Sequence, residues 1–431
     1  MRHSRIVIWA LLFALLAVGA ASAAEGDKIV IRIAHKWSET DKWTAAFKRV
    51  EQAFEARYPH IDVQVESGWS DDKFKVGVVA GNAPDVFVLD NAPSWAVGGF
   101  IHPLNALAEK YGVRREEFIP AAWDQQVWLG ELYAIPTQID PNFGLLWHKA
   151  IFAEAGLDPN RPPRTVKEFD EYFARLTTYG PDGTPLRVGM IPWTIYGSAN
   201  TVYTWGWLHG GEFFDYESTK ATAHHPGVVD ALEYLTDYFQ RHEQTYNVIS
   251  RGIPSGMSRF TAGREAMAFL TPSGAFLTME NFPEIEFGLA TMINNPDAGV
   301  ENATWIGGWS MGMKVNTEHP EEAFMLMHFI TVDPEGVEAY AREAYWLTGN
   351  FTTPYFKSLG QDPRWGPFAE IVTTSTRYRP AIPGRDVYDR GLSTYLPQII
   401  RRQITPSGAM EELSRAVDAA VLEAIRQSQG Q

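Results

Sequence analysis

The 431-residue sequence contains no cysteine, which removes a whole group of chemistries. Disulfides, thiolate metal sites, cysteine nucleophiles, iron–sulfur clusters and a lipid-modified N-terminal cysteine are excluded. Basic residues are also few, with 37 Lys and Arg against 52 Asp and Glu and a formal net charge of −15. Nucleic acids and anionic membranes need basic patches, so this balance argues against both as main partners. The sequence lacks a Walker A loop, a G-x-G-x-x-G motif and an H-E-x-x-H motif, so we expect no cofactor and no metal.

Long apolar runs are absent except at the N-terminus. Ile6 to Val18 is uninterrupted, follows Arg2 and Arg5, and precedes the small residues Ala21-Ser22-Ala23. This layout is typical of a cleaved secretory signal peptide, which we place at residues 1–23. The run is short for a membrane anchor, and no later stretch reaches ~18 apolar residues. We therefore expect an exported, soluble protein of a bacterial periplasm that is not lipid-anchored.

Strands and helices alternate through the first hundred residues. The β-branched segments Ile29–Ala34, Ile61–Val65 and Asp85–Leu89 are typical of strands, and apolar residues from Trp43 to Tyr58 recur at helical spacing. This order predicts a parallel sheet with helices on its faces, and ligands of such sheets lie beyond the carboxyl ends of the strands. Further along, Thr165-Val-Lys-Glu168 is a capping box that predicts a helix start.

The three loops that follow these strands are therefore candidate ligand loops. Each of the three loops contains a tryptophan, and two of the loops also contain candidate polar side chains. Aromatic rings with neighbouring carboxylates and amides suit a ligand that both stacks and forms hydrogen bonds. The candidates from these loops are Trp37, Glu39, Trp69, Asp90 and Asn91.

Two enzyme interpretations are open but less favoured. Gly308-Trp-Ser-Met-Gly312 matches the nucleophile-elbow pattern of serine hydrolases, but the residues after it resemble a strand, and only His319 and His328 follow it. Asp90 and Asp140 could act as the acid pair of a secreted glycosidase. Carboxylates also accept hydrogen bonds from sugar hydroxyls without any reaction, and we predict no catalytic residue.

Four blocks in order along the chain resemble the extracellular solute-binding proteins of family 1, sugar-binding subunits of ABC importers related to maltose-binding protein. Each block alone is a weak signal, but their order and spacing are those of the family. The blocks are Gly81–Asp90, Tyr133–Pro136 with Leu146–Lys149, Gly263–Ala268, and Gly307–Trp309 with His319–Ala323.

The resemblance implies an α/β fold of the type II periplasmic binding protein class. Such a fold has two lobes with parallel-rich sheets flanked by helices and a ligand cleft between the lobes. The implied lobe 1 comprises residues 24–137 and 307–350, and lobe 2 comprises 138–306 and 351–431. The chain would cross between lobes near 135–140, 303–308 and 345–355.

The resemblance also implies site residues. It supports Asp90 and Glu39 and adds Gln138 and Asp140 at the first crossing, Gly308 and Trp309 at the second. It further adds Asn200 at a helix start and Arg379 near the C-terminus, with Arg377 as a substitute. Many relatives carry a tryptophan where this chain has Thr271–Gly274, so one stacking platform is expected either to be missing or to have moved to another ring. If the platform has moved, the nominated replacements are Trp193 and Trp346.

The implied function is capture of a carbohydrate in the cleft and its delivery to the membrane permease of an ABC importer, with the binding protein as a monomer. Sugars present apolar C–H faces to aromatic rings and hydroxyls to polar side chains. Few basic residues stand near the predicted site loops, so we favour a neutral mono- or oligosaccharide or polyol. A phosphorylated polyol or another non-sugar solute is the alternative. The basic residues concerned are Lys36, Lys42, Lys73, Arg377 and Arg379.

Overall fold

A computed structural model of the protein describes residues 28–342, 344 and 346–429. The predicted signal peptide, residues 1–23, lies outside the described residues. Within them the strands are β1 (Ile29–Ala34), β2 (Ile61–Glu66), β3 (Val86–Leu89), β4 (Val127–Trp128), β5 (Glu131–Leu132), β6 (Ile135–Asn142), β7 (Gly144–His148), β8 (Thr178–Tyr179), β9 (Pro185–Arg187), β10 (Phe214–Asp215), β11 (Lys220–Ala221), β12 (Met267–Leu270), β13 (Phe287–Ala290), β14 (Trp305–Met313), β15 (Leu347–Thr348) and β16 (Arg377–Tyr378).

Helices cover most of the remaining described chain, and short 3-10 turns lie at Arg115–Glu117 and Pro296–Ala298. The α-helices are α1 (Lys42–Arg57), α2 (Asp71–Ala80), α3 (Ala92–Val97), α4 (Asn105–Lys110), α5 (Pro120–Asp124), α6 (Lys149–Glu154), α7 (Val166–Leu176), α8 (Ser198–Leu208), α9 (Pro226–Ile249), α10 (Pro272–Asn281), α11 (Pro320–Thr331), α12 (Pro334–Ala341), α13 (Pro354–Leu359), α14 (Gly366–Thr374), α15 (Arg385–Ile400) and α16 (Pro406–Gln429).

Local sequence signals explain where several elements begin. The predicted capping box is confirmed, because the Thr165 hydroxyl accepts a hydrogen bond from the Glu168 backbone N–H at 3.1 Å and α7 follows. Prolines occupy the first turn of α9 and α11, where a missing N–H costs nothing. The three predicted strands of the first hundred residues are confirmed within one residue at each end.

The larger sheet contains seven strands in the order β15-β6-β14-β3-β1-β2, with β16 beside β14. The pairs β1–β2, β1–β3 and β14–β16 are parallel, as the β-α-β-α-β order predicts for the first two. The pairs β14–β3, β14–β6 and β15–β6 are antiparallel. The carboxyl ends of β1, β2 and β3 therefore meet at one edge of this sheet.

The second sheet corrects the expectation of parallel-rich sheets. Its order is β12-β7-β13, and both pairs are antiparallel. The outer strands β12 and β13 are joined through α10 and run in the same direction, while β7 arrives between them from the opposite direction. The expectation of parallel strands rests on the first hundred residues, and none of these residues belongs to the second sheet.

Two large apolar cores accompany the two sheets, and we refer to the corresponding parts as lobe 1 and lobe 2. One core includes Phe47, Val88 and Met311 of the larger sheet and its helices, and the other includes Trp147 and Trp205 around the smaller sheet. Helices α13 and α14 contribute buried side chains to the first core, although the predicted boundary assigns 351–431 to lobe 2. The exact lobe boundaries stay a prediction.

Strands β6 and β14 connect the lobes and pair with each other over most of their length. Their register shifts between Gly308 and Ser310, where β14 is irregular. Gly308 has a φ of +116°, and a Cβ built there would lie 2.3 Å from the Gln138 carbonyl oxygen. Only glycine allows this close approach of the two crossing strands.

We expect Gly308→Ala to destabilise the protein because the added methyl group forces the crossing strands apart. The free energy of unfolding, measured by urea denaturation, should fall by ~1–3 kcal/mol more than in Gly183→Ala. Gly183 also has a positive φ, +78°, but a Cβ there would meet nothing within 4 Å. Equal losses in the two variants would contradict the close packing at Gly308.

Candidate functional site

The carboxylate of Asp90 joins the two lobes. Asp90 follows β3 directly, at the predicted edge of the sheet. Its Oδ2 lies 2.7 Å from Arg385 Nη2 and 3.3 Å from Arg379 Nη2, and its backbone carbonyl accepts a hydrogen bond of 2.6 Å from Arg385 Nη1. Arg385 is only 6% exposed, so this contact is largely shielded from water. Predicted residues Asp90 and Arg379 are thus brought together.

The charges around Asp90 balance one another. Burial alone raises the pKa of the Asp90 carboxyl, but the positive charges of Arg385 and Arg379 outweigh it and hold that pKa well below its usual range. Arg385 Nε also lies 3.5 Å from Asp389, which accepts a hydrogen bond of 2.9 Å from the Tyr203 hydroxyl. Two guanidinium groups thus face two carboxylates, which leaves no excess positive charge at this point.

A second contact between the lobes lies beside the first. The Asn91 side-chain amide donates to the Ile382 carbonyl at 3.2 Å, and the Ser94 hydroxyl donates to the Pro383 carbonyl at 3.1 Å. Asn91, a predicted site residue, is 5% exposed and therefore serves the contact between lobes.

Aromatic rings lie next to this network. Trp37 and Trp309 are half-buried and meet edge to face, with ring centroids 5.8 Å apart. Lys36 places its ammonium 4.4 Å from the Trp309 ring and pairs with Asp71 at 2.6 Å. The structure thus brings the predicted rings Trp37 and Trp309 together from different parts of the chain.

Asp140 lies on β6 opposite Gly307 and provides a polar group on the lobe 2 side of the crossing. Ser273, at the start of α10, donates to Asp140 Oδ1 at 3.4 Å. Burial raises the pKa of the Asp140 carboxyl to about 6, and the hydrogen bond from Ser273 opposes this only in part. Nearby Tyr196 is 54% exposed, and its hydroxyl forms a hydrogen bond with Thr271, the residue that precedes α10.

Asn200 and Gln138 have partners within the protein. The Asn200 amide donates to the Tyr196 carbonyl at 3.0 Å, which places it near the Asp140 group. Gln138 is 1% exposed, and its Oε1 accepts from the Tyr340 hydroxyl at 2.6 Å. Gln138 therefore lies beneath the surface of the site and stabilises the crossing strand β6 from the interior.

Glu39 and Trp69 lie at the rim of the site. Glu39 is exposed and accepts a hydrogen bond of 2.6 Å from the Ser67 hydroxyl. Trp69 is 7% exposed, donates to Glu66 at 2.9 Å, and has the Lys73 ammonium 4.0 Å from its ring. Trp69 borders a groove of about 770 Å³ between the lobes, which Pro383 and Asp386 line from the other side.

The structure does not bring the two nominated replacement rings to the site surface. Trp193 is buried in the core of lobe 2, where it meets Phe239 at 5.3 Å and Tyr246 at 6.0 Å. Trp346 is 3% exposed and supports Trp37 from behind at 5.7 Å. Ring size and sequence position alone do not distinguish a core tryptophan from a ligand platform.

Sequence reasoning missed Arg385, Asp389 and Tyr196. The only sequence signal for the first two was their spacing of four residues at a helix start, which any exposed helix face can show. Tyr196 has a φ of +49°, which sequence does not reveal. Arg385 is 295 residues from its partner Asp90, so no local pattern links them.

The elbow pattern at Gly308–Gly312 has the wrong structural context. Ser310 is 3% exposed and lies inside β14, with no helix directly after it. A nucleophile elbow requires a sharp turn from strand to helix with an exposed serine.

Comparison with known proteins places this chain in a family. Residues 36–337 match the family described as bacterial extracellular solute-binding protein, and the chain belongs to that family. Its members bind solutes and do not act as enzymes. The described residues contain no helix long and apolar enough to cross a membrane.

Two curated relatives are each 24% identical to the chain. A probable amino-acid ABC transporter periplasmic-binding protein, y4oP of Sinorhizobium fredii, matches over 47% of this chain and 44% of its own length. The chain thus spans less than half of that relative. The sn-glycerol-3-phosphate-binding periplasmic protein UgpB of Pectobacterium atrosepticum matches over 75% of each chain.

Solved structures confirm the fold. CpMnBP1 with mannotriose bound has a TM-score of 0.76 at 21% identity and covers 90% of this chain and 100% of its own. A solute-binding protein of Thermotoga lettingae bound with α-D-tagatose has a TM-score of 0.71 at 21% identity, covering 92% and 100%. MalE of Bdellovibrio bacteriovorus bound to maltotriose has a TM-score of 0.68 at 17% identity, covering 92% and 100%. The fold is therefore the mixed α/β fold of the periplasmic binding proteins.

We expect Asp140→Asn to stabilise the protein near neutral pH. Asp140 has a folded-state pKa of about 6, raised from 3.8, so the folded state loses stability as pH rises from about 4 to about 6. The variant removes this penalty and should gain ~1–3 kcal/mol in free energy of unfolding at about pH 7, and nothing at about pH 4.

Urea denaturation at the two pH values measures the difference. The exposed Glu301→Gln serves as a control for loss of one acid, and should change little at either pH. An Asp140→Asn variant that is less stable than the wild type at both pH values would contradict this prediction. It would show that other groups compensate the cost of burying the Asp140 charge.

Proposed function

We propose that this chain is the periplasmic substrate-binding component of an ABC importer and that it captures a neutral carbohydrate between its lobes. The carbohydrate is a mono- or oligosaccharide or a polyol. The bound protein delivers it to the membrane permease of the importer and acts as a monomer.

Aromatic rings and hydrogen-bond acceptors lie together at the crossing strands, and this arrangement is the main support for the proposal. Trp309 and Trp37 offer apolar ring surface, and Asp140 with Ser273 offers acceptor and donor atoms. A sugar needs both, because its C–H faces stack on rings while its hydroxyls need polar partners. Both lobes contribute, so a ligand here favours the closed arrangement of the lobes.

Charge balance supports a neutral ligand. Asp90 and Asp389 pair with Arg379 and Arg385, and Lys36 pairs with Asp71. An anionic ligand would have to compete with these carboxylates for the guanidinium groups. The three solved neighbours described above are bound to mannotriose, α-D-tagatose and maltotriose, all of them sugars, which agrees with this proposal.

A phosphorylated polyol is the second candidate. Two arginines do lie between the lobes, and the relative that matches three quarters of this chain is named for sn-glycerol-3-phosphate. Such a ligand would displace Asp90 from Arg379 or Arg385. Its binding would weaken steeply with salt, whereas binding of a neutral sugar would not.

The test is intrinsic tryptophan fluorescence of the purified protein against a panel of mono-, di- and oligosaccharides, polyols and sugar phosphates. We expect a saturable change with one neutral class. Trp309→Ala should weaken that binding by about tenfold or more, because the ring loses its stacking surface. Trp193→Phe is the matched control, since Trp193 is buried in lobe 2, and should bind with unchanged affinity.

Two outcomes would contradict the carbohydrate assignment. One is no response across the neutral compounds, checked by thermal shift. The other is saturable binding only of sugar phosphates, with a steep salt dependence, which would establish the second candidate.

A further inference from the structure

A small pocket lies beside β16, the strand that pairs with β14, and apart from the proposed carbohydrate site. Its volume is about 200 Å³, and Asp90, Asp140, Trp309 and Arg379 do not line it. Its walls are mainly aromatic rings, with one arginine among them. The residues that define the ring pocket are Trp207, Phe213, Phe214, Tyr216, Tyr378 and Arg377.

Arg377 in this pocket forms no direct ion pair with any described residue, whereas Arg379 and Arg385 are both paired with Asp90. Its Nη1 donates to the Asn302 carbonyl, but its Nε–H is buried and has no hydrogen-bond partner. Burial lowers the pKa of Arg377, which reflects the cost of holding the cation away from water. A partly buried cation of this kind is stabilised by an anion that forms charge-assisted hydrogen bonds with it.

The rest of the ring pocket suits a flat apolar group. Tyr216 and Tyr378 lie with centroids 5.9 Å apart, and Phe214 meets Tyr216 at 5.0 Å. Aromatic walls favour a ring that stacks or meets them edge to face. A cavity of ~150 Å³ holds benzene in another protein, so a single-ring compound fits the volume here.

One acidic side chain bears on the charge of the ring pocket. Glu212 lines it, is exposed to solvent, and raises the pKa of Arg377 through its negative charge without forming an ion pair. Glu212 therefore repels an anion that approaches Arg377, but as an exposed group it is screened by water and salt.

We propose that the ring pocket is a second ligand site, independent of the carbohydrate site, and that it takes a small aromatic carboxylate. The carboxylate pairs with the guanidinium group of Arg377, and the ring lies against Tyr216 and Tyr378. Neither a neutral sugar nor an inorganic anion satisfies both features of the ring pocket.

The probe for this site is 4-fluorobenzoate, followed by fluorine NMR with the purified protein. We expect saturable binding, and binding of the neutral analogue 4-fluorobenzamide that is weaker by about tenfold or more, because the ion pair with Arg377 is lost. Arg377→Gln should weaken 4-fluorobenzoate binding by at least about tenfold. Glu212→Gln should strengthen it severalfold, because the repelling charge is removed.

Arg379→Gln is the matched arginine control, since Arg379 faces Asp90 and not the ring pocket. It should leave 4-fluorobenzoate binding unchanged. Loss of binding in Arg379→Gln but not in Arg377→Gln would place the probe in the cleft and overturn the proposal. Absence of saturable binding, or equal affinity for the acid and the amide, would also overturn it.

Thermal unfolding shows whether the Arg377→Gln variant is folded. If it is not, the variant of the exposed residue, Glu212→Gln, provides the test instead. Affinity for 4-fluorobenzoate that does not rise in Glu212→Gln would then refute the site.

Discussion

The largely buried ion pair between Asp90 and Arg385 connects the two lobes, and we infer that their arrangement depends on it. It connects the end of β3 in lobe 1 with the start of α15, at 2.7 Å between charged atoms and with a further bond to the Asp90 carbonyl. Removing two charges from water is costly, and the geometry repays this only when both groups keep several partners. Arg379, Asp389 and Tyr203 supply those partners.

This network also shapes what the cleft can hold. Because its charges cancel, the remaining surface at the crossing strands offers rings and a single weakly acidic carboxyl, Asp140. Trp309 reaches the site through the irregular part of β14, where Gly308 lets the two crossing strands approach closely. The same backbone feature therefore lets the crossing strands pair closely and sets the position of Trp309.

The sequence predicted the parts of the site that local patterns control. Asp90 and Trp37 follow predicted strands of a parallel sheet, so their meeting at one edge follows from strand order. Arg385 could not be predicted, because its role depends on a contact with a residue far away in the chain. Trp193 and Trp346 were misjudged as replacement platforms for a related reason. The burial of a tryptophan depends on packing from other elements, so the local sequence is the same whether the ring lies in the core or at the site surface. The antiparallel second sheet escaped prediction because its strands are short and distant from one another in sequence.

The most direct test of this account is a distance measurement between the lobes. The chain has no cysteine, so spin labels at Val79→Cys in lobe 1 and Leu186→Cys in lobe 2, both exposed positions, give one distance by pulsed electron resonance. If the ion pair holds the lobes together, Asp90→Asn shifts the ligand-free protein to longer distances, while Asp386→Asn, which changes an exposed acid in the same helix as Arg385, does not. An unchanged distance distribution in Asp90→Asn would contradict the central role of the ion pair.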